Sequence, residues 1–390
     1  MTTIVTDEHE SLKVFHYKDC DNQSSDEIKE MRGIIKENNM VVCKSFPFTP
    51  EYTTEQISEM PVFPNESIKW YESHEGTLLR LWEHNGVWHL STHRKINSFL
   101  SKWGGKSSYG ELFLQFLQRT KNMWNKSSWA DDEEEEQSST TDLFASFCKL
   151  CDKNYIYVFL CRNTDSNRIV VKGYSEPECF CLGTFHRPSN FTYKLPPKTF
   201  PIKMPAQITT TTLSEYVMSS IDPLKLQGLI GITSSGKMVK LVHPKYYLFE
   251  QLRANASSLE FRYLELLHQP VQRQMFTELY SEHQSLFTEV DQIIDSICTN
   301  IFKKYLQRYI HKQVAVLPNY QFTISKGLHQ RYISKEINKV TPDIIQDTVF
   351  HLPTKELYAC VKQFQKTQKK HGNGNFVDET NKQAILVHRV

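Results

Sequence analysis

The chain has 390 residues, 39% hydrophobic and 23% charged, which suits a folded protein large enough for two domains. A net charge of +2 excludes a uniformly basic nucleic-acid coat, so any such contact has to come from a local patch. Nine cysteines, an odd number without a signal peptide, argue against a disulfide framework and for an intracellular protein with reduced thiols.

No apolar run reaches the roughly 18 residues of a membrane helix, so no membrane contact is expected. The sequence carries no P-loop, no Gly-x-Gly-x-x-Gly and no Gly-x-Ser-x-Gly elbow.

In chain order, residues 1–27 are polar and acidic and read as a flexible tail. Met31-Arg32-Gly33-Ile34-Ile35 opens a strand, Asn38-Asn39 supplies a turn, and Val41 to Phe48 returns as a second strand. Trp70 to Asn97 is the most informative stretch. Glu75-Gly76-Thr77 interrupts a strand-like run, Leu78 to Trp82 is apolar enough for a buried strand, and Asn85-Gly86 is a strong hairpin signal.

Tyr109, Leu112, Phe113, Phe116, Leu117 and Trp124 recur at helical spacing over 107–125. The six carboxylates of 131–136 repel one another and predict a solvated acidic loop over 131–142. Asp142 then caps a helix through Leu150, and strands are expected over Tyr155–Cys161 and Arg168–Lys172. Gln227 to Ile232 and Met238 to Val242 read as a hairpin around Ser234-Ser235-Gly236.

Beyond residue 256 the pattern turns helical, over 259–267, 271–286, 290–309 and 357–364, with Pro270, Pro318, Pro342 and Pro353 as punctuation. A helical domain over 256–368 and a flexible tail over 369–390 follow. Lys303, Lys304, Arg308 and Lys312 are spaced to share one helix face, with Tyr305, Tyr309, Tyr320 and Tyr332 interleaved or close behind. Phosphate contact and base stacking both fit such a surface, as does an ordinary solvated face. Cys148-x-x-Cys151 with Cys179-x-Cys181 allows a four-thiolate zinc site or plain buried thiols.

The stretch around Ser73-His74-Glu75-Gly76-Thr77 resembles the nucleophile motif of the bacteriophage-type RNA ligases and other covalent nucleotidyltransferases. Their pattern is Lys-x-Asp/Glu-Gly-Ser/Thr, two strands, and an end in hydroxyls and bases such as Arg94-Lys95. The likeness extends to Arg32-Gly33, Lys44, Phe48 with Glu51, Asn167-Arg168-Ile169-Val170, Gln227-Gly228 and Lys240, covering roughly residues 28–255. It implies an α+β fold: an antiparallel-sheet nucleotidyltransferase domain over 28–255, then an all-helical domain.

The residues that carry the family's chemistry are the ones that differ. Ser73, Phe159, Gln227 and Val242 stand where lysine, glutamate, glutamate and lysine are expected. A lysine amine with a lowered pKa attacks a nucleoside triphosphate, whereas a serine hydroxyl needs a general base. His74, its neighbour on a strand, points to the other face. Lys69 lies about 13 Å away along the strand, beyond the reach of its side chain.

The resemblance therefore implies a degenerate ligase-like protein with no catalytic residue and no metal ligand. Its expected role is as an RNA-binding or assembly subunit in RNA processing or transcription, encoded by a large DNA virus. No cofactor is expected. An active, ATP- and Mg2+-dependent ligase with a displaced nucleophile is the alternative. The candidate nucleotide- or RNA-contacting residues are Arg32, Lys44, Phe48, Arg94, Lys95, Lys240, Lys303, Lys304, Arg308 and Lys312.

Overall fold

The computed structural model describes residues 3–124, 140–256, 258–372 and 384–385. The chain divides into two compact units, Met1–Gln251 and Leu252–Val390. The first is α+β. It begins with a four-stranded sheet, β1 (Thr3–His9), β2 (Leu12–Tyr17), β3 (Ile34–Glu37) and β4 (Met40–Cys43), in that order and all antiparallel.

The flexible tail expected over 1–27 is thus replaced by two paired strands. Leu12, Val14 and His16 alternate inward along β2, and that period-2 pattern in Leu12–Tyr17 outweighs the polar composition around it.

The remaining strands are β5 (Glu51–Thr53), β6 (Ile68–Ser73), β7 (Gly76–His84), β8 (Val87–Ser91) and β9 (Tyr155–Arg162). They continue with β10 (Cys179–His186), β11 (Thr192–Lys194), β12 (Gln207–Ile208), β13 (Gly228–Thr233) and β14 (Met238–Val242). They form two five-stranded sheets, ordered β11-β10-β9-β7-β8 and β12-β6-β13-β14-β5. Every pairing is antiparallel except β5 with β14.

The two sheets and the N-terminal sheet share one core. Leu12, Ile35, Phe46, Tyr71, Trp82, Val158, Leu160, Ile230 and Met238 all belong to it. The opposite face of β7 and β9 packs Leu79, Leu81, Tyr157 and Phe159 against Phe113 and Leu117 of the helix Tyr109–Arg119 and Phe147 of the helix Thr140–Cys148. The outer face of β13 and β14 puts Leu229 and Leu241 on Val217 of the helix Leu213–Ser220. β9 is covered on both faces, which is why it reads as an unbroken apolar run.

The Asn85-Gly86 hairpin forms as expected, with both residues at positive φ, 51° and 82°. The Asn38-Asn39 turn does likewise, at 47° and 68°. The strand expected over Arg168–Lys172 does not form. That segment is irregular, and the next strand is β10. Most of the acidic loop lies outside the described residues.

The second unit is almost wholly helical: Leu259–Glu265, Pro270–Leu279, Gln284–Tyr305, Asn319–Ile333, Pro342–Phe350 and Thr354–Gly372. Pro270 and Pro342 sit in the first turn of their helices, where a missing N–H costs nothing. The helix Thr354–Gly372 runs into the stretch expected as a tail. Ala384–Ile385 pairs antiparallel with Leu317–Pro318, and the other residues after 372 lie outside the described set. Among the described residues no helix is long and apolar enough to cross a membrane.

Candidate nucleotide cavity

Between the two five-stranded sheets lies a cavity of about 710 Å³. β6 brings Ser73 to it, β7 brings Gly76 and Leu78, β9 Leu160, β13 Ile230, and β14 Met238 and Lys240. Arg32 reaches it from just before β3, Phe48 from the segment between β4 and β5, and Glu51 from β5 itself, while Tyr17 at the end of β2 and Cys20 to Gln23 after it add a wall.

Gly33 fixes the approach of Arg32. It has φ +66°, and a Cβ there would lie 2.5 Å from the carbonyl oxygen of His93. Arg32 then donates from Nη1 to the Pro47 carbonyl at 3.0 Å and to Thr49 Oγ1 at 3.2 Å. The fully buried Arg80, absent from the sequence-based candidates, ties the same loop by donating to the carbonyls of Gly33 and Thr92.

Ser73 is closed into a hydrogen-bond chain. Its hydroxyl donates to Gln227 Oε1 at 3.0 Å, Gln227 Nε2 donates to the Tyr246 hydroxyl at 2.8 Å, and Tyr246 donates to Glu75 Oε2 at 3.1 Å. All four residues are buried. The register of β6 against β13 produces the first link, because Ser73 lies opposite Gly228 and its carbonyl accepts the Gln227 N–H at 2.9 Å. Burial, with Glu75 beside it, raises the Tyr246 pKa well above its ordinary value, so the phenol keeps its proton and donates.

Glu75 is structural rather than open to a ligand. Besides Tyr246 it accepts the backbone N–H groups of Ile169, Val170 and Val171 at 2.5, 2.7 and 3.0 Å, and Asn163 Nδ2 at 3.2 Å. This explains why Arg168–Lys172 is not a strand: three consecutive donors go to one carboxylate instead of to a neighbouring strand. Gly76 follows because a Cβ would lie 2.3 Å from the Cys161 carbonyl oxygen.

His74 lies just beyond the end of β6 and also reaches the cavity. Arg162 Nη2 donates to its Nδ1 at 2.8 Å, and its ring stacks on Phe180 at 4.5 Å. The proton therefore belongs on Nε2, which faces Glu72 at 3.4 Å without closing a hydrogen bond. Burial, then the Arg162 charge, push its pKa down to about 3, so the ring is neutral.

Lys240 pairs with Glu51 at 2.7 Å, and Asn22 pins Glu51 through both of its backbone polar groups, at 2.7 and 3.1 Å. Glu250, on the helix Pro244–Arg253, is pushed up to about 7 by burial and by Glu51.

The remaining sequence-based positions divide. Arg32, Phe48, Ser73, Gly76, Gln227 and Lys240 meet at the cavity. Phe159 does not: it points to the opposite face of β9, among Phe113, Phe147 and Phe200, and Leu160 is the residue facing in. The one-residue shift is the cost of reading a two-sided apolar strand, which carries no alternation to fix its phase. Val242 is 2% exposed and is not among the lining residues.

Lys44 pairs with Glu30 at 2.7 Å and Lys95 with Asp7 at 3.0 Å, both away from the cavity lining. Arg94 is exposed; burial, with the Arg94 and Arg32 charges nearby, lowers the His16 pKa, whereas burial raises that of Tyr17 against those same two charges. Lys303, Lys304, Arg308 and Lys312 belong to the second unit. The helix carrying them ends at Tyr305, passes into a π-turn over Leu306–Ile310, and leaves Lys312 beyond it at φ +56°. Lys312 is therefore not on the shared helix face.

Sequence reasoning missed Tyr246, Asn22 and Arg162. The first stands after His243-Pro244, a helix start, which was the available signal.

Among the described residues no three His, Cys, Asp or Glu side chains gather as a metal site. The thiols of Cys148 and Cys181 are pushed up to about 12 by burial.

Solved structures similar to this chain include RNA ligases. An archaeal ATP-dependent RNA ligase superposes with a TM-score of 0.38 at 10% identity, covering 72% of this chain and 68% of the ligase, a partial likeness of fold. No family model matches the chain.

By sequence it is similar to an immediate-early protein ICP-46 homolog of Invertebrate iridescent virus 6, 26% identical over 298 residues. The match covers 73% of this chain and 63% of that relative, less than two thirds of its length. The corresponding protein of Invertebrate iridescent virus 3 is 25% identical over 344 residues, 84% of this chain and 71% of the relative. An origin in a large DNA virus fits these relatives.

Proposed function

We propose that the chain is a ligase-like protein that forms no covalent nucleotide adduct and serves as an RNA-binding or assembly subunit in RNA processing or transcription. The observation that carries this reading is the bond from Ser73 to Gln227. The hydroxyl at the nucleophile position is committed as a donor to a neutral amide, and the one histidine beside it is neutral and bound to Arg162. The amide that receives the Ser73 hydroxyl is too weak a base to take its proton.

The donor set also fits ATP with Mg2+ poorly. Asp21, Glu51 and Glu72 line the cavity against Arg32 and Lys240, and Lys240 is already paired. Gln227 and Leu160 offer no carboxylate to a cation. The viral relatives carry the name immediate-early protein, and a part in transcription is proposed in keeping with that name.

RNA contact is assigned to two basic sets, Lys303, Lys304, Arg308 and Lys312 in the helical unit, and Lys44, Arg94 and Lys95 with Arg32 and Lys240 in the sheet unit. Salt-dependent filter binding tests it, since each phosphate neutralised adds about 0.7 to the log–log slope on a single strand and about 0.9 on a duplex. Replacing Lys303, Lys304, Arg308 and Lys312 by Ala should lower the single-strand slope by about 2 to 3. Replacing Lys44, Arg94 and Lys95 reads the other set. No measurable affinity at low salt would remove RNA from the account and leave protein assembly.

A further inference from the structure

The helix Gln284–Tyr305 widens at its end into a π-turn, closed by the His311 N–H donating to the Leu306 carbonyl at 2.9 Å. Such turns are rare and occur often at functional positions. This one carries Tyr309 onto the helix Asn319–Ile333. Tyr309 stacks on His329 at 3.8 Å and 24°, and His329 faces Tyr332 at 6.1 Å and 26°. Tyr305 closes the inner end, 5.0 Å from Tyr309, with its hydroxyl 3.3 Å from His329 Nδ1.

His329 and Tyr332 are three apart on one helix, which puts them on the same side. The four rings therefore form a ladder from Tyr305, 3% exposed, out to Tyr332, 43% exposed. Cations flank it. The Arg308 guanidinium lies 5.1 Å over Tyr309, and Lys312 is exposed just past the π-turn. Burial, then the Lys312 and Arg308 charges, lower the His329 pKa, which favours the neutral ring that stacks best.

We propose that this ladder is a stacking platform for the bases of single-stranded RNA, with Tyr332 as the outer ring and Lys312 and Arg308 meeting the adjoining phosphates. The proposal deepens the RNA-binding reading above and rests on it. The chemistry favours a single strand over a duplex or an acidic protein. Every base has a π-face that a duplex hides, and an acidic peptide would use the cations but leave the rings without a partner.

The test uses the full chain, a fluorescein-labelled oligouridylate and an abasic oligomer of the same length and charge. The unsubstituted protein is expected to bind the base-bearing strand about 5- to 100-fold more tightly than the abasic one. Tyr332→Ala and His329→Ala should each lose most of that preference while leaving the salt slope in place, and Tyr332→Phe should keep it. Tyr332 is exposed, so its replacement leaves the core intact, which circular dichroism verifies. A preference unchanged in Tyr332→Ala and His329→Ala would overturn the platform and leave phosphate binding standing. No affinity for either strand at low salt would overturn the platform together with the RNA reading.

Discussion

At Ser73 two facts act together: the side chain lacks an amine, and its surroundings are satisfied without one. A lysine placed there would meet the Gln227 amide, where the resemblance to the ligases implies a carboxylate. Ser73→Lys alone is therefore expected to form no nucleotide adduct with ATP or GTP, and recovery of adduct by that single change would show that this neighbour does not matter.

His74 makes a second residue-scale prediction. Its folded pKa of about 3 lies below the ordinary 6.5, so between these values the unfolded chain binds more protons. The ring's contribution to stability is complete above 6.5 and is lost as pH falls toward 3, at no more than about 1.4 kcal/mol per pH unit. Urea titrations of His74→Gln should show a shallower acid-side decline than the unsubstituted chain, and an identical decline would remove His74 as its source.

Glu250 acts with the opposite sign. Its carboxyl titrates near 7 against an ordinary 4.5, so its contribution is present below 4.5 and fades as pH rises through 7. Glu250→Gln should gain relative stability above pH 7 in the same titrations.

Among elements, the segment after β9 shows what a sequence can and cannot convey. Asn167-Arg168-Ile169-Val170-Val171 has the composition of a strand, yet its N–H groups converge on Glu75 from almost a hundred residues earlier. Composition reports that the segment is apolar and extended; only the folded chain reports where its hydrogen bonds go. Glu75→Gln keeps the shape but gives up charge on an acceptor of three backbone bonds. It should cost about 2 to 4 kcal/mol in chemical denaturation.

β9 itself was legible as a strand, and its phase was not, because both faces are apolar. β7, β8, β13 and β14 were legible because their turns, Asn85-Gly86 and Ser234 to Gly236, fix the register.

For the molecule as a whole, the order of sheet unit then helical unit was readable from the change in hydrophobic period, and the chain divides after Gln251. The first two strands were not readable. Their sequence is polar because β1 is an edge strand, half-buried at most, and its partner β2 hides only alternate residues. That oversight mattered for the site, since Tyr17 at the end of β2 and Cys20 to Gln23 after it supply one wall of the cavity and the Asn22 clamp on Glu51.

The central claim is that this cavity no longer performs nucleotidyl transfer. It is tested most directly by incubating the purified chain with α-labelled ATP or GTP and a divalent metal, then separating it by denaturing electrophoresis. The account predicts no label on the protein. An acid-labile, alkali-stable nucleotide on the chain, abolished by Lys69→Ala or Lys240→Ala, would contradict it and establish a displaced nucleophile.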